Sequence, residues 1–109
     1  MPKHLSFVRS NICMIADVID DWLHEKDSYK QKQNCNGEIQ AHHLLKPWTG
    51  TRGWSMKSTD ENVVPLCFHH HSQLHQIGAE DAFWEHYNQS RDFGRAYAQK
   101  MLRRFDEVL

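Results

Sequence analysis

The sequence predicts an α+β domain whose core is two short strands and the helix that follows them (ββα), with helical segments on both sides. Three observations predict it. Apolar residues recur at helical spacing toward both ends of the chain, at Ile15, Val18, Ile19, Trp22 and Leu23 and again at Ala96, Tyr97, Met101, Leu102 and Phe105. Two short stretches, Ile39 to Leu44 and Asn62 to Leu66, read as strands on either side of a polar loop. Two histidine-dense stretches, one within the first strand and one running from the second strand to His75, hold six of the nine histidines within 34 positions. Imidazole is the commonest metal ligand and titrates near neutral pH, so this clustering points to a metal centre or an acid–base centre.

Taken in order, residues 3–12 read as a short helix or an extended lead-in. A helix follows from Met14 to about Lys30, with Asp17, Asp20 and Asp21 at its start and lysines at its end, as the helix dipole favours. Asn34-Cys35-Asn36-Gly37 is a turn signal. After the first strand, the polar stretch from Lys46 to Asp60 holds Pro47, Gly50 and Gly53 and reads as a loop. Trp48 and Trp54 either pin that loop to the core or offer stacking faces. The second strand leads to a helix from Phe68 to Ile77, with Gly78 as its C-terminal cap. Residues 80–89 and Phe93 to Val108 read as two more helices. No internal repeat or low-complexity stretch interrupts this order.

A chain of 109 residues makes one domain the expectation. A chain this short buries a modest core and often relies on a metal as a staple. Four Trp, five Phe and three Tyr argue against disorder. No apolar run is long enough to span a bilayer and no signal-peptide segment is visible, so a cytoplasmic location without a membrane partner is expected. The formal net charge of −1 gives no case for nucleic-acid binding on charge alone, and only residues 42–78 lean positive. Three cysteines, Cys13, Cys35 and Cys67, are an odd count and do not read as a disulfide framework. They are buried thiols or metal ligands, and Cys67 lies inside the histidine cluster.

The spacing separates the histidines. His71 and His75, four apart on a helix, have Cβ atoms about 5–6 Å apart and can reach one ion. His42 and His43 on a strand point to opposite sides. One can join the helix pair on a metal while the other holds a nearby reactive position. His4, His24 and His86 lie outside the clusters and read as surface or packing residues.

Here the chain resembles the HNH nucleases, also called ββα-metal or His-Me finger endonucleases. The resemblance is carried by Ala41-His42-His43, by Asn62-Val63-Val64-Pro65-Leu66-Cys67 and by His71-Ser72-Gln73-Leu74-His75. The family places its Asn nine positions before the first helix histidine and often a Cys five after that Asn, as Asn62, His71 and Cys67 stand here. Met56-Lys57-Ser58-Thr59-Asp60, Gln76-Ile77-Gly78 and Phe83-Trp84 are similar to the small phage-type branch of the family. The resemblance covers a core at residues 35–78, with helical flanks at 3–33 and 80–108.

The resemblance implies a ββα-metal fold with antiparallel strands and a metal-dependent endonuclease acting on phosphodiester bonds, chiefly in DNA. His43 would be the general base. His42, His71 and His75 would hold one catalytic divalent cation, with three imidazoles suiting Zn, Ni or Mn better than Mg. Asn62 would hold the loop and help orient His43, and Asp60 would be a substitute orienter or an extra ligand. Many HNH proteins also hold a structural zinc between two Cys-x-x-Cys knuckles. The later knuckle here is Cys67-Phe68-His69-His70, with His70 in place of the second Cys. The early knuckle is broken, so a site of Cys13, Cys35, Cys67 and His70 requires residues 14–34 to be an insertion between its two early ligands. Otherwise these are packing residues. His69 has no assigned role.

Lys46, Arg52 and Lys57 are candidate phosphate contacts, or solvated loop charges. Arg91, Arg95, Lys100, Arg103 and Arg104 give the last helix a partly basic face, which with its neighbouring acids reads as a solvated face. Cutting both strands with one site per chain implies a homodimer or successive nicking. The rival reading is a catalytically silent HNH-like zinc module that binds nucleic acid or protein. The presence of His43 favours the enzyme.

Overall fold

A computed structural model describes residues 2–21, 35–50 and 57–108. The fold is α+β, a two-stranded antiparallel sheet with five helices among the described residues. Helix α1 spans Pro2–Arg9, and α2 is described over Met14–Asp21. Strand β1 is Ile39–His43 and β2 is Val63–Cys67, preceded by a 3-10 turn at Asp60–Asn62. Three helices follow: α3 over Phe68–Ile77, α4 over Glu80–His86 and α5 over Phe93–Val108. The second part of the helix expected to reach Lys30, with Trp22, Leu23 and His24, lies outside the described residues, as do Asn34, Arg52, Gly53 and Trp54.

The strands pair from Ile39 opposite Cys67 to His43 opposite Val63. This register brings the end of β2, where α3 begins, beside the start of β1. Pro65 is tolerated within β2 because each strand of a two-stranded sheet has a free edge. All five residues of β2 are buried, because α1, α2, α3 and α5 all pack against that strand. The core gathers Val8, Met14, Ile15, Val63, Leu66, Leu74, Phe83, Trp84 and Met101. His4 is fully buried between Phe7 and Phe105, a packing histidine that helps join α1 to α5.

The turn before β1 folds onto the start of α3. Phe68 N donates to Glu38 O at 2.9 Å and His69 N to Asn36 O at 3.0 Å. Gly37 stands there at φ 85°, and a Cβ on it would lie 2.5 Å from Phe68 Cβ. The position therefore needs glycine twice over, for its backbone conformation and for the close approach. This contact brings Cys35 to the N-terminus of α3. At the other end of α3, Gly78 is the left-handed cap, its N–H donating to Leu74 O.

Three expectations shift at the edges. The segment read as a helix over 80–89 is helical over Glu80–His86, and Asn88 has positive φ. Asn62 closes the 3-10 turn instead of opening β2. Helix α5 buries Gly94, Tyr97, Ala98 and Met101, and Ala96 is exposed. The helix is turned so that Gly94 meets the Trp84 ring, where a Cβ would stand 2.7 Å from the indole. Leu102 and Phe105 are half-buried as a result. Among the described residues, no helix is long and apolar enough to cross a membrane.

Candidate metal centres and active site

Strand β1 delivers His42, and α3 delivers His71 and His75 one turn apart. His42 Nδ1 lies 3.1 Å from His71 Nε2, which lies 3.2 Å from His75 Nε2. The outward nitrogens decide what this means. His42 Nε2 donates to Glu80 Oε2 at 2.7 Å, and His71 Nδ1 donates to Gln40 Oε1 at 2.5 Å. With the ring protons held on those outward nitrogens, His42 Nδ1 and His71 Nε2 present lone pairs to each other. Two lone pairs at that separation repel, and a shared cation turns the repulsion into coordination. Four-coordinate zinc with bonds of about 2.0–2.1 Å separates its nitrogens by about 3.3–3.4 Å, so the three imidazoles fit a metal ion. Burial, then the neighbouring His42 and His75, push His71 down to about 4. His71 is therefore neutral, the ligand form, at neutral pH.

His43 lines the same cavity of about 240 Å³ as His42, Lys57, His71 and His75. Although side chains alternate along a strand, His43 is the last residue of β1 and reaches this cavity from the edge. Its Nε2 donates to Asp60 Oδ1 at 2.9 Å, which leaves Nδ1 as a proton acceptor. The imidazole is partly exposed, at 18%, so water reaches it.

Asn62 is fully buried and holds the loop after β1 through four hydrogen bonds. Its Oδ1 accepts from Trp48 N at 2.7 Å and Thr49 N at 3.4 Å, and its Nδ2 donates to Thr49 O at 3.1 Å and Thr59 Oγ1 at 2.9 Å. The side chain that reaches His43 is that of Asp60. The Asn62 amide is turned inward and holds the loop, and among the described residues it makes no hydrogen bond to His43, whereas Asp60 opens the 3-10 turn toward the imidazole. Asp60 bonds to His43 and is not among the three histidines whose ligand atoms lie together. Trp48 is pinned as well, its Nε1 donating to Glu61 O at 2.8 Å. Of the expected phosphate contacts, Lys57 lines the cavity. Lys46 pairs instead with Asp81, 2.5 Å away, and Arg52 lies outside the described residues.

The second cluster forms where four elements meet. Cys13 precedes α2, Cys35 sits in the turn before β1, Cys67 ends β2 and His70 lies in the first turn of α3. The three sulfurs stand 3.6, 3.5 and 3.2 Å from His70 Nδ1. Zinc bonds of about 2.3 Å to sulfur and 2.0–2.1 Å to nitrogen would set S···N at about 3.6 Å in a tetrahedron. Donor set and spacing thus fit a metal ion, and the four residues form a candidate metal site. Residues 14–34 lie between the two early members, as the broken knuckle required. Cys67 also caps α3, its sulfur accepting from His70 N. The hydrogen bond from Cys35 pulls the Cys13 thiol down to about 4 despite burial, with help from His70, while the same contact pushes Cys35 up. Among the described residues His70 Nε2 is buried without a hydrogen-bond partner, and the Tyr87 ring stands at 84° to the imidazole. His69 is exposed.

Two residues escaped the sequence reading. Gln40 precedes His42 by two positions, so strand periodicity puts both on one face, and that signal was available. Glu80 opens α4 beside Asp81 and reads from sequence as an acid placed for the helix dipole. It is instead buried, bonded to His42 and to the backbone N–H groups of Leu45 at 2.6 Å and Lys46 at 3.1 Å. No protein-family model, no curated protein and no solved structure matches the chain.

Proposed function

We propose that this protein is a metal-dependent endonuclease of the HNH type that hydrolyses phosphodiester bonds in DNA. The observation that carries the reading is the His43–Asp60 pair at the cavity lined by the three clustered histidines. In this reading His42, His71 and His75 hold one divalent cation, which when bound supplies charge for a phosphate oxygen and for the leaving oxygen. His43 Nδ1 takes a proton from the attacking water. Asp60 keeps His43 in the tautomer that leaves Nδ1 unprotonated, and stabilises the imidazolium that forms. Lys57, at the same cavity, offsets phosphate charge. Cys13, Cys35, Cys67 and His70 hold a structural zinc, and the donor set of three sulfurs and one nitrogen is what supports zinc there.

The test is a cleavage assay on plasmid, single-stranded and duplex oligonucleotides and RNA, run with Mg, Mn, Ni and Zn. Cleavage of DNA is expected, and replacing His43 by Ala should slow it by about 10²–10⁴-fold. Calorimetric uptake of the ion should stay as in the parent. Equal cleavage by the His43→Ala protein removes the base from the reading. Binding of nucleic acid without cleavage in any metal turns the reading to the silent zinc module.

A further inference from the structure

The nuclease reading leaves the buried carboxylate of Glu80 without a role. We propose that Glu80 is a positioning residue, which selects the nitrogen of His42 that faces the cation and locks that ligand to the turn leaving β1. The inference rests on the reading of His42, His71 and His75 as ligands of one divalent ion.

A carboxylate with a side chain 2% exposed is costly unless donors surround it. Three do. Oε2 accepts from His42 Nε2 at 2.7 Å and from Leu45 N at 2.6 Å, and Oε1 accepts from Lys46 N at 3.1 Å. An ionised carboxylate is acceptor-only, so the shared proton belongs to His42 Nε2 and the lone pair to Nδ1. Neutral imidazole has two tautomers, and the other one would aim an N–H at the cluster, 3.1 Å from His71 Nε2. Glu80 removes that alternative. It also supplies a negative charge behind the ligand, which makes Nδ1 a better donor to a cation.

The two backbone N–H groups give Glu80 a second hold. Leu45 and Lys46 follow His43 by two and three residues, so the carboxylate fixes the chain as it leaves the strand. Glu80 stands three residues past the end of α3, just after the Gly78 cap. One side chain thus ties together the strand that carries His42 and the helical hairpin that carries His71 and His75. Among the described residues no carboxylate bonds to His71, whose outward nitrogen meets the neutral Gln40 amide.

The discriminating variant is Glu80→Gln. With its amide oxygen in place of Oε2, the NH₂ group faces the Lys46 N–H, a donor against a donor, and with the amide turned over, the NH₂ group donates to His42 Nε2 and favours the other tautomer. The charge behind His42 is lost as well. Titration with Ni(II) by calorimetry, on protein that keeps its cysteine-site metal, should show affinity at the three-histidine site reduced on the order of 10–100-fold. Long-range ¹⁵N–¹H NMR on the same sample before Ni(II) addition should report the Nε2–H tautomer of His42 in the parent. It should report a mixture in Glu80→Gln. Unchanged Ni(II) affinity and tautomer in Glu80→Gln overturn the inference, even if the thermal midpoint falls, since a purely structural carboxylate predicts that result. No Ni(II) uptake by the parent overturns the ligand reading and the inference with it, so the two failures are told apart.

Discussion

Two clusters of side chains that could hold a metal ion share one helix, and adjacent residues of α3 contribute to them. His70 joins three cysteines, and His71 joins two histidines. Successive residues point about 100° apart around a helix, which turns the two imidazoles toward different neighbours. The cysteine cluster offers four protein donors, enough to close a tetrahedral shell. The histidine cluster offers three and leaves room at a cavity that also holds His43 and Lys57. A closed shell holds chain segments together, whereas an open one can accept a substrate oxygen. The surroundings agree with that division. Cys13, Cys67 and His70 are buried where α1, α2 and β2 meet, while His75 is exposed. The His43–Asp60 pair stands beside the histidine cluster, at the same cavity.

The sharpest way to break this contrast is to remove one ligand from each side. Cys67→Ser keeps a residue type that caps helices well, so its effect reports the lost sulfur ligand. Structural zinc binding in small domains is worth about 10–16 kcal/mol, as large as the whole stability of about 5–15 kcal/mol that a domain has. Cys67→Ser is therefore expected to lose its metal by elemental analysis and its cooperative thermal transition. His75→Ala should lose one ion but keep a thermal midpoint near that of the parent. A cooperative, metal-retaining Cys67→Ser protein would end the assignment of the cysteine cluster as the structural site.

A smaller effect sharpens the reactive side. Asp60→Asn removes the charge that faces His43 and leaves the four bonds of Asn62 in place. In a cleavage assay, kcat should fall by about 10-fold, a part of the 10²–10⁴ that acid–base catalysis contributes. KM and ion affinity should hold. A parental kcat would remove Asp60 from the orienting role.

The helix α3 and the two strands were legible because their signals are local: periodicity, a glycine cap, histidines four apart. The cysteine cluster was only half legible. Cys67 and His70 sit three apart on one turn, but bringing Cys13 to Cys35 depends on how the chain returns after residue 34, and no local pattern encodes that. The inward face of α5 was misjudged at Ala96 because the decisive contact is long-range, with Gly94 admitting the Trp84 ring. Glu80 was hidden for a related reason. An acid in the first turn of a helix has the same sequence signature whether it faces solvent or a buried imidazole. Spacing singled out Asn62, but spacing along the chain does not say which way an amide turns, and this one turns toward Thr49.

The smallest effect concerns the metal-free histidine cluster. His71 is held down to about 4 by burial and by its two histidine neighbours, whereas an unfolded chain titrates near the ordinary value of about 6.5. Between those values the unfolded state binds a proton that the folded state refuses. Stability therefore rises with pH across that window and is lost as pH falls from about 6.5 toward 4. Protein that keeps its cysteine-site metal and carries no ion at the three histidines should show a falling thermal midpoint from pH 7 to pH 5, and His71→Ala should flatten that slope. Protons and a cation compete for the same nitrogens, so adding Ni(II) to that protein at constant pH should raise the midpoint most where it has lost little to protonation. A slope that is identical in His71→Ala would place the acid sensitivity elsewhere, with fully buried His4, whose pKa burial also lowers, as the next group to replace.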